Sequence, residues 1–284
     1  MKILITGGSG FLSKNLNESL NSNLNIFLPS KKEMNCLCIE DIDDYINKNN
    51  IDFVIHAAGK VGGITENIKN PSNFFLENIN MGLNVIKVCL NNNIKNLLNI
   101  GSINSFPIND KDISADEEDL LSGPISSEIE PYGIAKGVVA KYAKYASLEN
   151  NVNYKTLHLS NLFGKFDSFG ENAHMLPAII SRIHKAKTNN YKSVEIWGDG
   201  SAKRTFLYAL DVCKFINEII VDFESFPQDF ILKGNNNYSV LEYNKIISEV
   251  LGYEGEFSFN IKKPVGYKVR KINSKYSELY DIKF

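Results

Sequence analysis

The chain has 284 residues, 43% of them hydrophobic, which is material for one large core or two modest ones. Lysine and arginine number 31 against 33 aspartates and glutamates, a net charge of −2 that argues against nucleic acid or an anionic membrane surface as the main partner. The four cysteines (Cys36, Cys38, Cys89, Cys213) show no C-x-x-C pairing and no clustering with histidines, so no metal centre is expected. No apolar run approaches the ~18 residues of a membrane span, and no apolar leader follows a basic stretch; a soluble, cytoplasmic protein with reduced thiols is expected.

At the N-terminus, Lys2-Ile3-Leu4-Ile5-Thr6 reads as a short buried strand running into Gly7-Gly8-Ser9-Gly10-Phe11-Leu12-Ser13. Glycine lets the backbone turn tightly and approach a pyrophosphate, while the following helix offers free N–H groups and the positive end of its dipole. Ser13 takes the place of a third glycine and is small enough for helix to pack on strand. Further strands are expected at 25–28, 52–57, 96–101 and 154–160, and helices over 11–20, 40–48, 72–91 and 131–149. This alternation predicts an α/β fold with a Rossmann-type, doubly wound parallel sheet and ligands at the carboxyl ends of its strands, where Gly7, Ala57-Ala58-Gly59 and Ser102 fall. After Asn161 the rhythm loosens into a loop, a helix near 175–187, a strand at 193–197 and a turn at Gly198-Asp199-Gly200. Residues 1–160 with about 203–222 are expected to form the nucleotide-binding body, and 161–202 with 223–284 a smaller α/β substrate-binding lobe. The many asparagines read as composition alone.

The segment Tyr132-Gly133-Ile134-Ala135-Lys136 puts a phenol and an ammonium on one helical face, with Ser102 about one βα unit upstream. These are the parts of a carbonyl-reducing site beside a nicotinamide: the lysine charge favours the phenolate and poises the tyrosine to give or take a proton. The second strand ends Phe27-Leu28-Pro29-Ser30-Lys31-Lys32, without a carboxylate before Glu33, which favours NADP(H) over NAD(H) and assigns Lys31 to the 2′-phosphate. The expected cofactor contacts are Gly7, Ser9, Gly10, Phe11, Leu12, Lys31, Ala57, Ala58 and Gly59, with Tyr132 and Lys136. His56, His158 and His184 read as packing or surface residues.

Longer segments carry a resemblance. His56-Ala57-Ala58-Gly59-Lys60-Val61-Gly62-Gly63-Ile64, Glu130-Pro131-Tyr132-Gly133-Ile134-Ala135-Lys136 and Asn161-Leu162-Phe163-Gly164 are joined by His174 to Pro177 with Ala178 and Arg182, and by Trp197-Gly198-Asp199-Gly200 with Arg204-Thr205-Phe206-Leu207. Together they resemble the GDP-L-fucose synthase branch of the extended short-chain dehydrogenase/reductases, over nearly the whole chain. The resemblance implies a GDP-4-keto sugar substrate and a homodimer built on the helix carrying Tyr132. It implies that Tyr132 is the general acid toward the sugar C4 oxygen, that Ser102 bonds the same oxygen, and that Lys136 holds the nicotinamide ribose. It further implies substrate contacts from Lys60, Asn161, His174, Arg182, Trp197, Arg204 and Lys271, with Arg204 at the diphosphate and Lys271 near the GDP end.

One departure bears on the chemistry. Where that branch reads G-S-S-C-I-Y-P, this chain reads Gly101-Ser102-Ile103-Asn104-Ser105-Phe106-Pro107. The cysteine is the base that removes protons at C3 and C5 during epimerisation, whereas an amide has no usable pKa near neutrality. His174, its acid partner, is retained. The reading is an NADPH-dependent 4-keto reductase of a GDP-linked 6-deoxyhexose or heptose for a bacterial surface polysaccharide, without C3/C5 epimerase activity. The alternatives are a bifunctional epimerase-reductase and a non-catalytic NADP-binding sensor. A 4,6-dehydratase would need an acidic pair after Ser102, and a 4-epimerase normally ends its second strand in an acid.

Overall fold

The computed structural model describes residues 1–20, 23–108, 115–169 and 173–280. In chain order its elements are β1 (Lys2–Ile5), α1 (Phe11–Ser19), β2 (Asn25–Phe27), α2 (Ile39–Asn49), β3 (Phe53–His56), α3 (Ile64–Lys69), α4 (Pro71–Asn91), β4 (Asn96–Ser102), α5 (Glu130–Asn150) and β5 (Asn153–Leu159). They continue as β6 (Asn161–Phe163), α6 (Met175–Thr188), β7 (Ser193–Trp197), β8 (Lys203–Tyr208), α7 (Ala209–Val221), β9 (Asp229–Leu232), β10 (Asn237–Ser239), α8 (Val240–Leu251) and β11 (Glu256–Asn260). Short 3-10 turns at Ile103–Ser105 and Glu117–Asp119 lie between β4 and α5.

Six parallel strands form the main sheet in the order β2-β1-β3-β4-β5-β9. β3 and β9 are buried at every residue, as a sheet covered by helices on both faces requires. Alternate residues feed two cores. Ile3, Ile5, Phe53 and Leu98 pack with α1 and α7 on one face, whereas Leu4, Val54 and Leu97 pack with α2, α4 and α5 on the other. Pro71 opens α4, where its missing N–H and fixed φ do no harm. Asn50 and Asn151, at φ 52° and 50°, close α2 and α5 in the left-handed conformation that asparagine tolerates. Some of the asparagine content therefore has a structural use that composition did not reveal.

The remaining strands form a three-stranded sheet, β10-β8-β6, and the parallel pair β11-β7. α6 and α8 enclose a smaller apolar cluster of Leu176, Ile179, Ile183, Val194, Tyr243 and Tyr253. A reciprocal cap starts α8: Ser239 Oγ accepts from Glu242 N at 3.2 Å, and the Glu242 carboxylate accepts from Ser239 N at 2.7 Å.

Strand pairing departs from the expected partition at two points. Asp229–Leu232, read as part of the lobe, is the sixth strand of the main sheet, registered beside Thr156–Leu159. Lys203–Tyr208, read with the main body, pairs instead with β6 and β10. Four buried residues after a phenylalanine-rich turn are too short to betray a parallel strand by periodicity. Lys155 of β5 fixes that turn: its ammonium donates to the carbonyls of Phe223, Glu224 and Phe226 beyond the end of α7.

Candidate active site

The carboxyl ends of β1, β3 and β4 converge on one edge of the sheet. Gly7 holds φ 70°, and a Cβ there would lie 2.9 Å from Ala58 Cα. At Gly8 a Cβ would come within 2.4 Å of the Leu28 carbonyl, so neither position admits a side chain. Ser13 is buried and donates its hydroxyl to Thr6 O at 3.3 Å, which accounts for a small residue in the third glycine position. Gly10 caps α1 without a side-chain acceptor, and the first turn carries no carboxylate. That turn, lined by Phe11 and Leu12 with Ser9 exposed, has the cradle and the free N–H groups a dinucleotide pyrophosphate requires. Lys31 and Lys32 are exposed beyond β2, while Glu33 turns back to accept from Ser30 N and Ser30 Oγ, both at 2.8 Å.

Ser102 closes β4 and is buried. Its Oγ accepts from Asn104 N at 3.2 Å and shares a hydrogen bond with the Tyr132 hydroxyl. The turn after β4 docks on α5 because Gly133 has no side chain: a Cβ there would meet Asn104 O at 2.4 Å. Ser105 Oγ secures the contact by donating to Gly133 O at 2.7 Å. Ser102, Tyr132 and Asn104 are thereby brought together, with Lys136 one turn further along α5.

Burial governs the ionisation of this group. It pushes the Tyr132 phenol up to about 12, against the pull of the Ser102 hydrogen bond, and brings Lys136 down to about 8. Desolvation is the larger effect at Tyr132, and the phenol keeps its proton at neutral pH. A protonated phenol is the form that can donate. His56, buried at the end of β3, bonds Thr6 Oγ1 at 2.9 Å, and burial followed by the nearby Lys136 charge lowers it to about 3. Thr6 Oγ1 also accepts from Ala58 N at 3.0 Å, fixing Ala57-Ala58-Gly59 beside the glycine turn.

Lys60 pairs with Glu77 at 2.5 Å and lies over the Phe74 ring, so its ammonium already has a partner in the protein. Asn161 donates to Thr205 O at 3.0 Å. His174 caps α6; burial lowers its pKa, opposed by Asp167. Arg182 and Lys263 both face the Trp197 ring, at 5.9 and 5.2 Å. Lys271 is half-buried, and its backbone carbonyl accepts from Ala115 N.

The arginines form the most distinctive feature of this side. Arg204 and Arg270, 8% and 7% exposed, both lie against the Tyr267 ring, at 4.0 and 4.6 Å. Arg204 donates to the carbonyls of Lys203, Val265 and Tyr267. Arg270 Nη1 donates to Ile103 O and to Asn104 Oδ1, the latter at 3.3 Å. Its Nε and Nη2 are buried without a hydrogen-bond partner among the described residues. Two buried cations held mainly by carbonyls and a ring favour an anion between the lobe and the Ser102 turn. Sequence reasoning misses Lys263, Tyr267 and Arg270; of the pair Arg270-Lys271 it selects the lysine.

Among the described residues no group of three or more His, Cys, Asp or Glu side chains could hold a metal, and no helix is long and apolar enough to cross a membrane. Residues 3–231 match the family model described as "NAD dependent epimerase/dehydratase family". A GDP-L-colitose synthase from Yersinia pseudotuberculosis is 40% identical over 277 residues, spanning 96% of this chain and 90% of that protein. A GDP-L-fucose synthase from Azorhizobium caulinodans is 37% identical over 269 residues, spanning 94% and 86%. In fold, the chain superposes on a GDP-6-OMe-4-keto-L-xylo-heptose reductase from C. jejuni with a TM-score of 0.89 at 24% identity, covering 100% of this chain and 93% of that one. A GDP-mannoheptose C4 reductase from Campylobacter jejuni with NADP bound gives 0.87 at 23% identity, covering 100% and 94%.

Proposed function

The chain belongs to the NAD dependent epimerase/dehydratase family, and on that premise we propose that it is an NADPH-dependent 4-keto reductase of a GDP-linked 6-deoxyhexose or heptose. In this reading it serves bacterial surface polysaccharide synthesis in the cytoplasm and does not epimerise C3 or C5. The observation that carries the reading is the Ser102–Tyr132–Lys136 group, intact around a turn in which Asn104 stands at the epimerase base position. The names of the relatives support a GDP-sugar as substrate.

When bound, the nicotinamide supplies a hydride to the carbonyl carbon. Tyr132, protonated at neutral pH, donates its proton to the C4 oxygen as negative charge develops there, and Ser102 orients that oxygen by a hydrogen bond. Lys136 holds the cofactor ribose and supplies positive charge beside Tyr132. Gly7, Ser9, Gly10, Phe11 and Leu12 receive the pyrophosphate, and Lys31 the 2′-phosphate. Arg204 and Arg270 take the diphosphate of the substrate, with Arg182, Trp197 and Lys263 lining the nucleotide-sugar cleft. A homodimer built on α5, the helix that carries Tyr132, belongs to this reading.

The test is turnover in D₂O with NADPH and a stereochemically defined GDP-4-keto sugar, with the product examined by NMR. Reduction at C4 without deuterium at C3 or C5 is expected, and an Asn104→Cys variant should gain exchange. Deuterium at either carbon above the enzyme-free background would favour the second reading, a bifunctional epimerase-reductase, which the retained His174 supports.

A further inference from the structure

Asn104 joins the catalytic turn to the buried arginines. Its N–H donates to Ser102 Oγ at 3.2 Å, and its backbone carbonyl lies against Gly133 of α5. Its side-chain oxygen accepts from Arg270 Nη1 at 3.3 Å, and the same Nη1 donates to Ile103 O. One nitrogen of the guanidinium therefore holds the turn that carries Ser102. The other two, Nε and Nη2, have no acceptor among the described residues although the side chain is 7% exposed. Unpaired buried donors are costly, so a guanidinium fixed in this way is completed by an external oxyanion. An amide oxygen is a strong acceptor for the fixing bond, whereas a thiol is a weak one.

We infer that Asn104 is a positioning residue: it fixes Arg270 so that Nε and Nη2 receive an oxygen of the substrate diphosphate, and it couples that binding to the placement of Ser102. The inference rests on the nucleotide-sugar reading above. The residue at the epimerase base position thus acts on the diphosphate end of the substrate through Arg270, and on the sugar only through the placement of Ser102.

A double-mutant cycle on GDP binding, measured by titration calorimetry without turnover, tests this. Asn104→Leu is expected to weaken GDP about tenfold, the size of a lost hydrogen bond to a charged group. Arg270→Gln should weaken it further, and the double variant should bind no worse than Arg270→Gln, because Asn104 acts through Arg270. NADPH affinity should stay unchanged in all three. Asn104→Ala, run in parallel, should show the same tenfold loss and stands in for the leucine variant if the larger side chain disturbs the turn. Unaltered GDP affinity in the Asn104 variants, or losses that multiply in the double variant, would overturn the inference while leaving the nucleotide-sugar reading in place. Failure of the unaltered protein to bind GDP would instead overturn that reading, and this inference with it.

Discussion

The six-stranded sheet and the lobe are built on different principles. Strands β3, β4, β5 and β9 are buried along almost their whole length, and their two cores are large and apolar, with Lys155 and the His158–Asp229 pair as buried polar insertions. In the lobe, β7 alternates exposed and buried residues, β11 has no fully buried residue, the apolar cluster is small, and Arg204 and Arg270 pack on Tyr267 and Arg182 on Trp197. Stability therefore resides mainly in the sheet. The lobe side instead buries the guanidinium groups of Arg204 and Arg270, held by backbone carbonyls and the Tyr267 ring.

The largest effect should come from the sheet itself. Phe53, 1% exposed and edge-on to Phe223 at 4.7 Å, should cost about 3–5 kcal/mol when replaced by alanine, whereas Phe257→Ala in β11 should cost about 1 kcal/mol. Urea denaturation checks both, and equal losses would break the comparison. Chemistry and binding should separate next. Tyr132→Phe is expected to lower reduction at least ~100-fold while GDP-sugar affinity stays unchanged, since general acid catalysis commonly contributes that much. Near-normal turnover would remove the mechanism.

Lys136 sharpens the contrast from within the sheet body. Its folded pKa of about 8 lies below the ordinary 10.5, so at pH 7 both folded and unfolded chains carry the proton and the folded one carries it at a cost. Stability of the cofactor-free protein should rise with pH between about 8 and 10.5. Lys136→Met should remove the cost, raising stability at pH 7 on the order of 2 kcal/mol, while turnover collapses. In the unaltered enzyme kcat/KM for NADPH should fall as pH rises through about 8, because Lys136 loses its charge while Tyr132, near 12, keeps its proton. The smallest effect concerns Lys31, exposed beyond β2. Its replacement by alanine should shrink a roughly tenfold NADPH preference, an exposed pair contributing ~1 kcal/mol; an unchanged ratio of kcat/KM for the two cofactors would dismiss Lys31 as the discriminator.

The sheet was legible in sequence for the same reason that it is stable. Continuous apolar runs such as Phe53–His56 and the turn Gly7-Gly8-Ser9-Gly10 leave few alternatives, and the spacing of Tyr132 and Lys136 sufficed to place them one helical turn apart. The lobe was less so. β7 was read at its observed span, but strands of three to five residues such as β6, β10 and β11 carry too little periodicity, and β9 is recognisable only through its neighbour β5. Arg270 is illegible in sequence because its significance lies in two unpaired nitrogens and a contact to Asn104, 166 residues earlier in the chain.

The pairing of β9 with β5 sets the order in which the molecule can be assembled during synthesis. The two partners are separated by about 70 residues that include β6, α6, β7 and β8 of the lobe, and closing such a span costs roughly 4 kcal/mol of chain entropy. The first five strands leave the ribosome well before the sixth, so the nascent protein passes through a stage in which β5 is an open edge with unpaired N–H and C=O groups. A chain halted before Asp229 would remain at that stage, and the edge it exposes is the part of the molecule most prone to pair with a neighbouring copy.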